Sequence, residues 1–299
     1  MAEPQDQLAR SYRYCREVAR KRARNFYYSF LVLPREKSDA MCAVYAFMRY
    51  CDDIADDESA SGDKRRLLEK WRASLEKAAH GDYEDSRILP AFHDTIVKFG
   101  IPLDYFRQLI DGAAMDLSID RYASFDELYD YCYKVASVVG LVCIHIFGFD
   151  SPDAKKRAEY CGIAFQLTNI LRDLKEDASM GRVYIPDEDL WAFGYSAEDL
   201  RSGVRDERFL RLMKFEVLRA RCYYNAALPL VRMVHESGRP GLTAMIGIYS
   251  GILDKIERSH YNVFANRISL SGARKLSIAA KVLLMSKLNG GRPYLRELR

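Results

Sequence analysis

Asp52 and Asp56 stand four residues apart in one segment, and Asp173 and Asp177 stand four apart in a second segment far along the chain. On an α-helix that spacing projects both carboxylates from one face. Two such pairs, on helices that face each other, form a cage of oxygen ligands for hard divalent cations. The chemistry implied is metal-assisted departure of a diphosphate.

Each pair belongs to a longer polar stripe. At 100° per residue, Tyr45, Arg49, Asp52 and Asp56 fall within a sector of roughly 60°, and Gln166, Asn169, Asp173 and Asp177 within roughly 80°. Val44, Phe47, Met48 and Ile54 crowd the rest of the first helix; Ile163, Phe165, Leu167, Ile170, Leu171 and Leu174 crowd the second. A helix apolar nearly all round is buried, so the stripes are expected to line an internal cavity. Acids at i,i+4 also decorate solvated faces. Here their mutual repulsion, and the amides that join them on an apolar helix, point inward instead. A carboxylate-bridged di-iron bundle requires Glu-x-x-His pairs, and His80, His93, His145, His235 and His260 make none. Aspartate pairs with amide neighbours suit Mg²⁺, with Mn²⁺ as a substitute, because Mg²⁺ keeps several waters and takes phosphate oxygens. Arg49, Arg172, Lys175 and Arg182 are the cations expected to hold the outer oxygens of the diphosphate. The turn Gly181-Arg182-Val183-Tyr184-Ile185-Pro186 reads either as a plain helix stop or as a lid over the metals.

The elements that must position these residues are helical. The chain has 299 residues, is 49% hydrophobic and holds only 9 prolines; no alternating β-branched run with hairpin turns occurs, so one all-α domain is expected, its core at about 13–288. Short signals divide it. Lys37 to Asp57 follows Leu33-Pro34, and His80-Gly81 and Gly100-Ile101-Pro102 mark later breaks. Ser124-Phe125-Asp126-Glu127 has capping-box form and should open a long apolar helix through Gly148. Ser151-Pro152-Asp153 should open the helix of the second pair. Helices at about Asp206 to Glu236, Pro240 to Val263 and Ser271 to Leu288 complete the reading.

Other classes are disfavoured. A net charge of +4 is too small to argue for nucleic acid. Seven scattered cysteines without a CxxC pair read as reduced, mostly buried thiols of a cytoplasmic protein. The N-terminus lacks the apolar stretch of a signal peptide, and the longest apolar run, Val135 to Phe149, is shorter than the ~20 residues that span a bilayer. The cationic stretch Arg13, Arg16, Arg20, Lys21, Arg22 and Arg24 is read first as a solvated face. Reversible contact with anionic lipid at the inner face of a membrane is its second reading. Nothing in the sequence sets the oligomeric state.

The chain resembles the squalene/phytoene synthase family, enzymes that join two prenyl diphosphates head to head. The likeness runs from about residue 13 to about residue 285. It is carried by the aspartate motifs, by Phe26-Tyr27-Tyr28-Ser29-Phe30 with Leu33-Pro34, by Asp111 through Tyr122, by Tyr131 through Gly140, by the 181–186 turn and by Tyr249 to Arg267. It implies an isoprenoid-synthase-type helical bundle around a central apolar cavity. It implies Asp52, Asp56, Asp173 and Asp177 as Mg²⁺ ligands, with Asn169 accessory. Tyr45, Arg49, Gln166, Tyr249 and Arg267 match positions that contact diphosphate. Val135, Val139 and Gly140 match the prenyl-channel wall, and Tyr131 an aromatic beside the reacting carbons. Dry walls and π-faces suit a carbocation, and the chain holds 20 Tyr and 14 Phe.

Two departures stand out. Before Phe26 the family commonly has a small hydroxyl residue with a cation, where this chain has Lys21-Arg22-Ala23-Arg24-Asn25; Arg22 or Arg24 is the substitute expected there. Relatives also have adjacent arginines where this chain has Asn266-Arg267. The opening motif and compact length lean slightly toward bacterial presqualene diphosphate synthases over plant-type phytoene synthases. No GxGxxG fingerprint appears, which leaves NADPH use open. Farnesyl or geranylgeranyl diphosphate is the expected substrate, and the proton acceptor is either released diphosphate or a tyrosine. The rivals are a head-to-tail prenyltransferase or terpene cyclase of the same architecture, and a non-catalytic scaffold, which should have lost some of the four aspartates.

Overall fold

Scarce proline and short turn signals leave long stretches free to form helices, and the chain uses them so. The structure, a computed structural model, describes residues 4–23, 25–56, 63–83 and 85–288, with backbone only at Pro4, Gln5 and Asp56. The elements are α1 (Pro4–Arg22), α2 (Tyr27–Phe30), α3 (Arg35–Asp56), α4 (Lys64–Ala79), α5 (Leu89–Lys98), α6 (Leu103–Met115), α7 (Phe125–Cys132), a π-helical turn (Tyr133–Ser137) and α8 (Val138–Phe147). Then follow α9 (Asp153–Ser179), α10 (Asp187–Ala192), α11 (Ala197–Arg201), α12 (Glu207–Ala227), α13 (Leu230–Met233), α14 (Arg239–Arg258) and α15 (Gly272–Leu288). No strand forms among the described residues; two isolated bridges join Arg121 to Val183 and Phe149 to Val234. Six cysteines are buried and free, and Cys222 is exposed.

Local signals account for most boundaries. Ser124 Oγ accepts the Glu127 N–H at 3.3 Å, while the Glu127 carboxylate reaches the Ala123 N–H at 2.8 Å, one residue upstream of a standard capping box. Ser151 Oγ accepts the Asp153 N–H at the start of α9. Asp206 accepts the N–H groups of Arg208 and Phe209 to open α12. The expected helix from Asp206 to Glu236 breaks into α12 and α13 around Pro229, whose ring cannot continue the ladder.

The long apolar helix is likewise not uniform, because the π turn interrupts it. A π turn winds more slowly than an α turn, so it sets the following residues back by roughly a quarter of a revolution. Tyr131, Val135, Val139 and Cys143 consequently share one wall of the central cavity. The continuous stretch Phe125–Phe147 is long and apolar enough, by length and composition, to cross a membrane. Here it packs against α6 and α9.

Helix α9 is the hub, packed against α12, α8, α14 and the π turn. Its contact with the π turn is backbone to backbone: a Cβ on Gly162 would lie 2.5 Å from Ser137 Cα, and one on Gly140 would lie 2.8 Å from the Ala158 carbonyl. On the other side, α3 turns Phe47 into a cluster with Phe92 (4.3 Å), Trp71 (4.9 Å) and Phe106 (5.3 Å), which fastens α4, α5 and α6 to its outer face. At the far end of α9, Arg219 of α12 donates to both Glu216 oxygens (2.9 Å) and to Asp189 of α10 (2.6 Å), and stacks over Phe125 of α7 at 4.2 Å.

Two outcomes are expected. Gly162→Ala forces α9 off the π turn and should lower stability by about 1–3 kcal/mol in urea unfolding, with the folded helical content retained. Burial pushes the Glu216 carboxyl up, Arg219 draws it down, and the charge of Asp189 pushes it up again, for a net rise. The folded chain therefore holds a proton that the unfolded chain releases near pH ~4.3. Stability contributed by this proton should fall as pH rises from the ordinary carboxylate range through the raised folded value. Melting curves between pH 5 and 8 should show a declining Tm, and Glu216→Gln should flatten the decline.

Candidate active site

The two long helices that carry the aspartates contribute matched stripes to one cavity of about 410 Å³. From α3 come Met41, Val44, Tyr45, Met48, Arg49 and Asp52; from α9 come Ala158, Cys161, Gly162, Phe165, Gln166, Asn169 and Asp173. Both stripes run from apolar at the N-terminal side to polar at the C-terminal side. The cavity is therefore graded: charged and amide groups gather at one end, while Ile144, Phe147, Leu230, Leu242 and Met245 line it elsewhere. Asp56 and Asp177 sit in the last turns of α3 and α9, where the helix dipole opposes negative charge and favours cations, and Asp52 and Asp173 lie one turn further in. Acids placed against the dipole in a partly dry cavity form a site that gains from a bound cation.

Asp173 shows how the charge is held without one. Arg172 chelates its carboxylate, with Nε to Oδ1 at 2.8 Å, and Arg267 does so from the loop after α14, at 2.8 and 3.0 Å. Burial pushes the Asp173 carboxyl up, but the two guanidinium groups outweigh it and hold it below the usual range. Asp177 lacks that compensation. Burial and the neighbouring Asp173 charge push it up to about 8, although Arg182 draws it down. On the opposite wall, Arg49 pairs with Asp53 at 2.6 Å and with Asp52 at 3.7 Å, and Arg22 of α1 reaches the same Asp53 at 2.6 Å. Two buried polar atoms here have no hydrogen-bond partner, Asn169 Oδ1 and Arg49 Nε. An orphaned carbonyl oxygen beside the aspartates suits a cation, and an orphaned guanidinium N–H suits an anion.

No group of three or more His, Cys, Asp or Glu converges into a metal centre among the described residues. Of the four aspartates of the expected cage, Asp52 and Asp173 line the cavity and Asp177 does not, so among the described residues one carboxylate from each helix faces it. That fits a cation that takes only one or two carboxylates and completes its shell with water and phosphate oxygens.

The remaining expected residues are placed as follows. Phe26, Tyr131, Val135, Val139 and Gly140 line the cavity with Tyr45, Arg49, Gln166 and Arg172. Tyr249 is buried just behind the wall, stacked on Phe165 at 4.4 Å and tilted against Phe26 at 5.1 Å; burial pushes its hydroxyl up to about 12, so it is neutral. Arg182 sits beside the acidic end and donates to the Asp116 carbonyl at 3.1 Å. Lys175 does not join the cluster: it is exposed, because two residues from either aspartate is roughly 200° around the helix. Arg24 and the side chain of Asp56 lie outside the described residues.

Sequence reasoning passed over Asp53, Asp116, Tyr184, Phe30 and Phe165. Tyr184 in the 181–186 turn donates to Asp116 Oδ1 at 2.9 Å and lies 3.4 Å, oxygen to oxygen, from Tyr131, with Tyr122 stacked on the Tyr184 ring and tilted against that of Tyr131. Burial, reinforced by Asp116, raises the Tyr131 hydroxyl far above neutrality, so Tyr131 offers the cavity a π-face and a neutral O–H. The turn itself is stitched to the segment before α7: Val183 N–H donates to Asp120 O, Asp187 N–H to Tyr122 O and Glu188 N–H to Ala123 O. These ties favour a fixed wall over a swinging lid. The run Asp111 through Tyr122, part of the family likeness, was the available pointer to Asp116.

Comparison with known proteins agrees with this geometry. The family model for squalene/phytoene synthase matches residues 19–274. A 15-cis-phytoene synthase of Synechococcus elongatus is 37% identical, covering 90% of this chain and 91% of its own. A phytoene synthase of Mycobacterium tuberculosis is 38% identical, covering 94% and 93%. Among solved structures, a dehydrosqualene synthase in complex with ligand superposes with a TM-score of 0.86 at 27% identity, over 96% of this chain and all of that one. Squalene synthase HpnC from Alicyclobacillus acidocaldarius gives 0.80 at 29% identity, over 85% of this chain and 96% of that one. A cavity graded from paired acids to bare hydrocarbon and a sequence match over most of the chain lead to one conclusion: the chain belongs to the squalene/phytoene synthase family and is a prenyltransferase of that type.

Proposed function

We propose that this enzyme condenses two molecules of farnesyl or geranylgeranyl diphosphate head to head in a Mg²⁺-dependent reaction through a cyclopropylcarbinyl diphosphate. The observation that carries the reading is the graded cavity, with aspartates at the dipole-opposed ends of α3 and α9 and an apolar chamber continuous with them. Asp52, Asp56, Asp173, Asp177 and Asn169 would hold Mg²⁺ (or Mn²⁺), which when bound neutralises charge on the departing diphosphate as a Lewis acid. Arg49, Arg172, Arg182 and Arg267 hold its outer oxygens, with Tyr45, Gln166 and Tyr249 fixing their orientation. The first diphosphate leaves with the C–O bonding pair. The double bond of the second substrate captures the allylic cation, and loss of a proton closes the cyclopropane ring. A second ionisation expels the remaining diphosphate, the ring opens with rearrangement of the cation, and loss of a second proton, to released diphosphate or a tyrosine, leaves the linear phytoene-type hydrocarbon. Through these steps Phe26, Phe30, Phe165 and Tyr131 exclude water and turn π-faces toward positive carbon.

The product we favour is of the phytoene type. The sequence relatives at 36–38% identity are phytoene synthases, which outweighs the slight lean of the opening motif toward presqualene diphosphate synthases. Incubation with each diphosphate, with Mg²⁺ or EDTA and with or without NADPH, followed by product identification, tests the proposal. A coupled hydrocarbon that requires Mg²⁺ is expected; no coupled product from either substrate would sink it. A single substrate converted to a diphosphate-free monomeric terpene would mark cyclisation instead.

Three variants test the residue assignments. Asp52→Ala and Asp173→Ala should each lower kcat by about 10³-fold or more, the scale on which loss of a transition-state charge stabiliser acts, with helical content unchanged by circular dichroism. Val139→Trp should fill the chamber and abolish binding of a non-hydrolysable prenyl diphosphate analogue while leaving Mg²⁺–pyrophosphate binding in place.

A further inference from the structure

Helix α15 is apolar on both faces. Lys275, at 7% exposure, and Ala279, at 2%, are buried, and Ile278 and Val282 pack inward beside them. Its four leucines face away from the protein: Leu276 is 54% exposed, Leu283 36%, Leu284 59% and Leu288 71%. With Ala280 these fall at steps of four, three, one and four, a single stripe along the outer side of the helix. The helix carries Arg274, Lys275, Lys281 and Lys287 and not one acid. The outward leucines take no part in folding α15 onto the bundle; Ala279 and Val282 packing with Val32 and Ala244, and Ile278 packing on the main core, attach it without them.

We infer that the outer face of α15 is a docking surface for an anionic lipid bilayer. Exposed leucines at helical spacing beside a one-sign cationic helix match the two components of interfacial binding, apolar insertion and attraction to acidic headgroups. The charge decides between occupants. A second copy docked on the same face would bring cation against cation, and residues 289–299, Asn-Gly-Gly-Arg-Pro-Tyr-Leu-Arg-Glu-Leu-Arg, carry three arginines and one glutamate. A negatively charged surface is complementary; these two are not. Placement gives the surface a purpose: α15 lies on α14 and α2, whose inner residues Leu242, Met245 and Phe30 line the cavity. Two layers of helix, α15 and then α14 with α2, therefore separate the bilayer from the chamber in which, on the function proposed above, a hydrocarbon is made.

Sedimentation of the full chain with vesicles, without prenyl substrate, tests the surface independently of the chemistry. Vesicles of equal phosphatidylcholine and phosphatidylglycerol should carry the protein down, phosphatidylcholine alone should not, and salt should weaken the binding. The triple variant Leu276→Ser, Leu283→Ser, Leu284→Ser should partition about tenfold or more less strongly, with unchanged helical content and Tm because these side chains are exposed. Arg274→Glu with Lys287→Glu should erase the preference for phosphatidylglycerol. The inference is overturned if the wild-type chain ignores anionic vesicles or if the leucine variant binds them equally well. It is also overturned if the wild type elutes as a dimer that the leucine variant breaks.

Discussion

A carboxylate buried in a helical core must be paired or lose its charge, and the arrangement around Asp173 follows from that condition. Removing an ionised group from water costs several kcal/mol unless charge and hydrogen bonds are returned to it. Arg172 from the same helix and Arg267 from the loop after α14 return them. The loop after α14 is thereby fixed to the mouth of the cavity, and α9 can keep an acid on its inner side while the rest of its surface is hydrocarbon. Asp177, one turn on and without such a clamp, is pushed up to about 8 by burial and by the neighbouring Asp173 charge.

The same economy of charge shapes the opposite wall. Arg49 and Arg22 meet on Asp53, which leaves Asp52 facing the cavity. Both walls place acids where the helix dipoles disfavour them, an arrangement unsuited to stability and suited to binding a cation. Beyond this polar end the described lining is hydrocarbon, aromatic rings and thiols, with the Tyr131 hydroxyl among them. That asymmetry suits a molecule with an anionic head and a hydrocarbon tail.

Backbone geometry supplies the remaining precision. The glycines at 140 and 162 let α8, the π turn and α9 touch main chain to main chain, and the π turn brings Tyr131, Val135 and Val139 to one wall. The tyrosine cluster of Tyr122, Tyr131 and Tyr184 then joins that wall to the turn after α9.

The sequence by itself determined the helical class, most helix ends and both polar stripes, because 3.6-residue periodicity and capping chemistry act over a few neighbouring residues. It also carried the family, since the motifs recur in order along the chain. Tertiary structure alone decided that the two stripes face one cavity and that Lys175 points to solvent while Asp53, Asp116 and Tyr184 join the site. It decided too that Arg267 clamps Asp173 across 94 residues of chain. These are contacts between distant segments, set by which helix faces pack, and no local spacing encodes them. The π turn escaped the sequence for a related reason: its extra residue is paid for by packing against α9, not by any preference of Tyr133–Ser137 itself.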